Sequence, residues 1–174
     1  YNLPAAIKRE VELLHPIASR ADITIDTSKL NIHQLKERLR DQVGAENKIV
    51  INLLSFGFKY GTPIDADFVF DVRILPNPHW NADLRSATGL DSEVATFFAD
   101  YPEVSEMSED IAHFLTRWLP NFLHNNRHTV TVAIGCTGGK HRSVFITEKL
   151  QHHLTQHLPK ELTVVAKHRE KSRW

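Results

Sequence analysis

Thr129-Val-Thr-Val-Ala-Ile-Gly-Cys-Thr-Gly-Gly-Lys-His-Arg-Ser143 is the stretch whose reading decides the fold. Thr129 to Ile134 alternates in hydropathy as a strand does, Gly135 to Arg142 is a glycine-bearing loop, and Ser143 to His157 continues with helical spacing. Strand, turn and helix in that order form half of a parallel β-α-β unit. Free backbone N–H groups and the positive end of the helix macrodipole then converge on the loop, an arrangement that holds phosphate in many unrelated folds. Gly138 and Gly139 permit positive φ and close approach of backbone to an anion, Thr137 and Ser143 offer hydroxyls, and Lys140, His141 and Arg142 add charge. Three cationic or protonatable side chains at a helix start oppose the macrodipole unless an anion sits among them. The spacing between glycine and lysine is not that of a Walker A loop.

The same residues also satisfy Cys-x-x-Gly-x-x-Arg-Ser, with Cys136 and Arg142 as nucleophile and phosphate clamp of a cysteine-dependent phosphatase. Gly135 stands where such enzymes usually carry histidine, and no acidic residue is marked as a general acid. A small buried side chain at a strand end is the third reading of Cys136. Asp71, Arg73 and His79 fall near the end of a second strand and in a proline-rigid loop, where ligand groups gather in open α/β sheets. A local ion pair and a loop histidine explain them equally well. His153 and His157 have the i, i+4 spacing of a zinc pair, but nothing supplies a third ligand, so they read as a wet helix face and no metal is expected.

Outward from this core, Ile49 to Leu54 is an aliphatic run broken only by Asn52, as a covered parallel strand would be, and Phe68 to Val72 is a second strand. Ser55 to Pro63 reads as a loop. Leu75 to Trp80, with Pro76 and Pro78, is expected to lack regular structure. Asp91 reads as an N-cap, and Glu103 to His124 as a helix with Ile111, Leu115, Trp118, Leu119, Phe122 and Leu123 on one face and a kink at Pro120. Leu162 to Val165 makes the last strand. Towards the N-terminus, Pro4 to His15 is helical and should stop at Pro16, Ile23 and Ile25 alternate in a short strand, and Asn31 to Gln34 has capping-box spacing before Ile32, Leu35, Leu39, Val43 and the stop at Gly44. The expected fold is α/β, an open, mixed but mainly parallel sheet with helices on both faces, Rossmann-like and of the sugar-phosphate-binding type.

Length and composition agree with one ordinary domain plus a fragment. The chain has 174 residues, 41% apolar and 24% charged, with one cysteine, so no internal disulfide and no disulfide scaffold is possible. No apolar run of bilayer length occurs, and a cytoplasmic, membrane-free location is expected. The first residue is Tyr1, with neither basic nor apolar leader behind it, which suggests a cut in a longer protein. The balanced total of 21 basic and 21 acidic residues hides a segregation. Residues 65–110 carry two basic and eleven acidic side chains, whereas residues 135–174 carry eight and three, plus five of the eleven histidines. The C-terminal quarter is therefore the candidate anion-facing surface.

Several longer motifs, in order, resemble one family: Ser55-Phe-Gly-Phe-Lys-Tyr-Gly61, Asp65 to Arg73, Leu75-Pro-Asn-Pro-His-Trp80, Thr88-Gly-Leu-Asp91, Asn125-Asn-Arg127, Val132 to Val144 and His168-Arg169. They resemble the C-terminal domain of the RapZ family of bacterial RNase adaptors, within the YvcJ nucleotide-binding group. The resemblance implies a residual piece of an N-terminal P-loop domain over 1–28, a linker helix over 29–47 and the C-terminal domain over 48–174. ATP or GTP would bind the missing N-terminal domain, and this chain would carry no cofactor. The resemblance further implies binding of small regulatory RNA, its presentation to RNase E, sensing of glucosamine-6-phosphate and assembly into a homo-oligomer, a tetramer in the full protein. On this reading Cys136 to Ser143 form the phosphate-sensing loop with Asp71, Arg73 and His79 as neighbours. Lys59, Lys140, His141, Arg142, Lys160, Lys167, His168, Arg169, Lys171 and Arg173 become the RNA-facing cations. Trp174 ends a tail in which family members carry denser lysine and arginine.

Overall fold

The computed structural model describes residues 2–32, 34, 35, 38, 39, 49–124 and 128–174, with the backbone alone at 123 and 124. The chain divides into two compact units, residues 1–46 and 47–174. In the first, helix α1 spans Leu3–Ala18, and the Asn2 side chain accepts from the Ala5 N–H as its cap. The helix does not stop at Pro16. A proline there forfeits only one N–H in the final turn, and Ser19 closes the helix by donating its N–H to the His15 carbonyl. Residues 23–27 form no strand, since among the described residues no neighbouring strand pairs with them. The capping box is present in both directions: the Gln34 N–H donates to Asn31 Oδ1 at 2.9 Å and the Asn31 N–H to Gln34 Oε1 at 3.0 Å. Val43 and Gly44 lie outside the described residues, as does Asn125 to Arg127.

The second unit is built on four parallel strands, β1 (Ile49–Gly57), β2 (Phe68–Asp71), β3 (Thr129–Cys136) and β4 (Leu162–His168), in the order β2-β3-β1-β4. Pairing is parallel throughout, so the sheet is not mixed. Among the described residues three α-helices accompany it, α2 (Ser92–Ala99), α3 (Pro102–Trp118) and α4 (Arg142–His157). Ile49, Ile51 and Leu53 of β1 pair in register with Leu162, Val164 and Ala166 of β4, and Ile51 and Leu53 with Val130 and Val132 of β3. They join Ile111 and Leu115 of α3 and Ile146, Leu150 and Leu154 of α4 in one core.

Handedness decides which face the helices take. The steps from β2 to β3 and from β3 to β4 run the same way across the sheet, while the step from β1 to β2 runs back over β3. With right-handed crossovers, the first two connections share one face and the third takes the other. The first two contain α2, α3 and α4. The third, residues 58–67, holds only the 3-10 turn Phe58–Tyr60 and Gly61 at φ +87°. Among the described residues the expected two-sided helical cover is therefore realised on one face, and Val50, Asn52 and Leu54 on the other are half-buried.

Two further differences concern prolines. Pro78 begins a 3-10 turn, Pro78–Trp80, capped by Asn77 Oδ1 accepting from the His79 N–H, because a fixed φ suits the first position of such a turn. Pro120 lies in a 3-10 segment, Leu119–His124, that follows the end of α3 at Trp118. The elements matter here because β1 and β3 are adjacent and send their connections to opposite faces. Their carboxyl ends make the topological switch point, where ligands bind in open α/β sheets.

Leu53 is fully buried at the centre of the sheet. Leu53→Ala should cost about 2–5 kcal/mol of unfolding free energy, read from urea denaturation. Val69→Ala on the edge strand, 44% exposed, should cost under about 1 kcal/mol.

Candidate anion-binding site

The switch point is shaped by glycine. Gly57 and Cys136 are register partners at the ends of β1 and β3, and a Cβ on Gly57 would lie 2.7 Å from the Gly138 carbonyl carbon. Gly139 has φ +69°, and a Cβ there would lie 2.7 Å from both Gly57 N and a Glu170 carboxylate oxygen. Positive φ and close backbone approach, both expected of this loop, are met at Gly139. Gly89 is equally confined, since a Cβ there would overlap the His141 carbonyl oxygen, and its N–H donates to the Lys140 carbonyl at 2.8 Å. Asp91 fixes that approach by accepting from the Thr88 N–H and hydroxyl, which hold its carboxyl below the usual range.

Around these glycines lies a cavity of about 280 Å³. Cys136, Thr137, Gly138, Lys140, His141 and Arg142 line it from the loop, and Lys59, Tyr60, Asn77 and His79 from the connections after β1 and β2. Arg173 and Trp174 complete the wall from the end of the chain. Four fixed cations and two histidines line this space, and among the described residues no side-chain carboxylate does. The N–H groups of Arg142, Ser143 and Val144, at the start of α4, have no acceptor among the described residues; the first helical bond is Phe145 N–H to the His141 carbonyl. Of these three residues only Arg142 lines the cavity, and Ser143 and Val144 are fully buried.

Not every cation there is free to meet a ligand. Arg142 is buried and donates from Nη1 to the carbonyls of Arg73 (2.6 Å) and Leu75 (3.1 Å) and from Nη2 to the Thr137 hydroxyl at 3.2 Å, while its Nε is buried without a partner. Burial works against its charge, and Cys136 and Asp71 support it. Arg142 thus clamps the segment after β2 to the loop and charges the floor of the cavity. His141 is also buried, with Nε2 3.1 Å from the Leu84 carbonyl. Lys140 reaches the Arg85 carbonyl from an exposed position. Cys136 Sγ accepts from the Gly139 N–H at 3.2 Å and lies 3.1 Å from the Ser143 hydroxyl, so the thiol is held within the loop. The Arg142 guanidinium is thus committed to two main-chain carbonyls and the Thr137 hydroxyl.

Asp71 and Arg73 pair with each other at 2.6 Å on an exposed surface outside the lining, and the Arg73 guanidinium lies 4.2 Å from the Phe58 ring centroid. Lys160, Lys167 and Lys171 are exposed and also outside the lining. His168 and Arg169 turn inward: His168 contacts the Ser55 hydroxyl and Glu148, and Arg169 donates to the Gly57 carbonyl and to Glu170. His153 and His157 stack at 4.1 Å, and no group of three metal-ligating side chains occurs among the described residues. Tyr60, Asn77, Trp174 and Glu170 escape a reading of the sequence. Only Asn77, fixed between Pro76 and Pro78, carried a local signal.

The fold and the cavity define an open parallel α/β domain with a cation-lined cavity at its switch point. The family model described as "RapZ C-terminal domain" matches residues 49–172, and the one described as "RapZ-like N-terminal domain" matches residues 2–47. The chain belongs to the RapZ family. It is 79% identical over its whole length to a "Nucleotide-binding protein" of Psychrobacter cryohalolentis, of which it covers 54%. It is 51% identical over 158 residues, 90% of the chain and 53% of the relative, to one of Cellvibrio japonicus, and 46% identical over 173 residues, 99% of the chain and 60% of the relative, to one of Acinetobacter baumannii. The chain thus spans little more than half the length of these relatives. None of the three names states an enzymatic activity. Among the described residues no helix is long and apolar enough to cross a membrane.

Burial pushes the His141 and His168 pKa values below the ordinary 6.5. The unfolded chain therefore binds more protons than the native one as pH falls below about 6.5, and stability falls with it. Thermal unfolding should occur at lower temperature at pH 5.5 than at pH 7.5, and His141→Gln should flatten that dependence. Gly139→Ala, strained at positive φ and overlapping Gly57, should cost at least about 1–3 kcal/mol in denaturant unfolding.

Proposed function

We propose that the 47–174 unit is a regulatory RNA-binding module whose switch-point cavity takes a phosphorylated amino sugar, within an RNase adaptor. The observation that carries this reading is the cavity with four fixed cations, the main chain of the loop between β3 and α4 and, among the described residues, no lining side-chain carboxylate. A phosphomonoester needs that combination: a fixed positive field, donors for its oxygens, and no competing negative charge. Glucosamine-6-phosphate is the sugar phosphate the family resemblance suggests. The RNA surface would be the exposed lysines near the C-terminus, Lys160, Lys167 and Lys171, extended to the cavity rim by Lys59, Lys140 and Arg173.

So few cations hold RNA weakly one copy at a time, and a homo-oligomer would multiply the contacts through effective concentration. Presentation of a small regulatory RNA to RNase E is the adaptor role that follows, and a cytoplasmic location goes with it. ATP or GTP would belong to the N-terminal domain, of which this chain holds the part matched over residues 2–47. A cysteine phosphatase is the second reading, favoured by Cys136 lining the cavity with the Gly139 N–H on its sulfur.

Isothermal titration calorimetry with glucosamine-6-phosphate tests the first reading. Lys140→Ala, which leaves the buried Arg142 clamp in place, should weaken binding about tenfold, a loss of about 1.4 kcal/mol. Unchanged affinity in Lys140→Ala and Lys59→Ala alike would contradict it. RNA affinity should fall steeply with salt, and Lys171→Ala should reduce the logarithmic salt slope by about 0.7–0.9 if one phosphate contact is lost. Salt-independent RNA binding would overturn the electrostatic account. Hydrolysis of an aryl phosphate that disappears in Cys136→Ser would establish the second reading instead.

A further inference from the structure

The last six residues do not form a free basic tail. After β4 the chain turns back on the switch point. The Arg169 N–H donates to the Ser55 carbonyl, and its guanidinium to the Gly57 carbonyl at 3.1 Å. Glu170 is almost fully buried, accepting from the Gly57 N–H at 3.1 Å and from Arg169 Nε at 2.7 Å. Trp174 Nε1 donates to the Gly139 carbonyl at 3.3 Å, and its ring lies 5.5 Å from that of His168. Arg173 lies 4.5 Å from the Tyr60 ring centroid, with Lys59 Nζ 4.9 Å from the same centroid. Arg173 and Trp174 thus reach the cavity from a segment that grips both loops of the switch point.

The two sides of the cavity differ in chemistry. The loop side offers backbone donors and charge, which any phosphate oxygen satisfies. The side made by Trp174 offers a broad apolar ring, which an inorganic anion cannot use and a sugar ring can. Arg173 is exposed and beside it, placed to meet a second polar group or the phosphate itself.

We propose that Trp174 is the specificity-determining residue of this site: it recognises the ring of a cyclic sugar phosphate, while the loop recognises only the phosphate. The inference rests on the anion-binding reading given above and deepens it. The ligand class is a phosphomonoester of a cyclic sugar, in preference to an acyclic phosphate ester or inorganic phosphate. Glu170 acts as a positioning residue that holds the segment against Gly57, and does not touch the ligand.

The test titrates the full chain with three probes, inorganic phosphate, glycerol 3-phosphate and glucosamine-6-phosphate, in wild type, Trp174→Ala and Trp174→Phe. Trp174→Ala should lose about tenfold in affinity for glucosamine-6-phosphate and retain its affinity for the other two. Trp174→Phe, which keeps a ring but loses the bond to the Gly139 carbonyl, should retain most of the preference for the sugar. Equal losses for all three probes in Trp174→Ala would mean that the tryptophan only holds the loop, and would overturn the proposal. Unchanged glucosamine-6-phosphate affinity would also overturn it. If wild type binds none of the probes, the anion-binding reading itself fails, a result distinct from either of these.

Discussion

The main chain of Gly57 lies directly against that of Gly138 and Gly139, and the ligand site depends on this contact. It is possible only because neither Gly57 nor Gly139 carries a Cβ, and because parallel pairing of β1 with β3 brings Gly57 and Cys136 level at the sheet's carboxyl edge. The two connections then depart to opposite faces and leave a cleft between them. Cations from the β1 connection, the loop and the chain end face this cleft together with Asn77 and His79 from the β2 connection, although no two of those segments are neighbours in sequence.

Such a concentration of positive charge must be stabilised by something. Arg142 bonds to two main-chain carbonyls and a threonine hydroxyl without pairing with a carboxylate. His141 is kept toward its neutral form by burial. Glu170 is buried at the switch point, and its oxygens are taken by Gly57 and Arg169. Lys59, Lys140, Arg142 and Arg173 line the cavity together, so an anion bound there would stabilise the unit.

Local physics was legible in the sequence, and long-range physics was not. The capping box at Asn31 and Gln34, the alternation of Thr129 to Ile134, the glycine loop and the start of α4 each depend on residues a few positions apart. Pattern and spacing were enough to place them. Pro16 misled because a proline in a last turn costs little, and Ile23 with Ile25 misled because alternation supplies no partner strand. The inward turn of Arg169 and Glu170 was hidden in what read as a basic tail. The partner of Glu170 is 113 residues away in the chain, and that of Trp174 is 35 away. The role of Arg142 was half legible: its place in the site was clear, but its use as a clamp depends on the carbonyls of Arg73 and Leu75, which no side-chain pattern marks.

The central claim is that the loop between β3 and α4 receives an anion in the cavity it lines. Proton–nitrogen correlation spectra of the labelled chain, recorded while inorganic phosphate is added at constant ionic strength, test it most directly. The account predicts saturable shifts concentrated at the amides of Thr137, Gly138, Lys140, His141 and Arg142. Shifts absent there, or spread evenly over exposed lysines elsewhere, would contradict it.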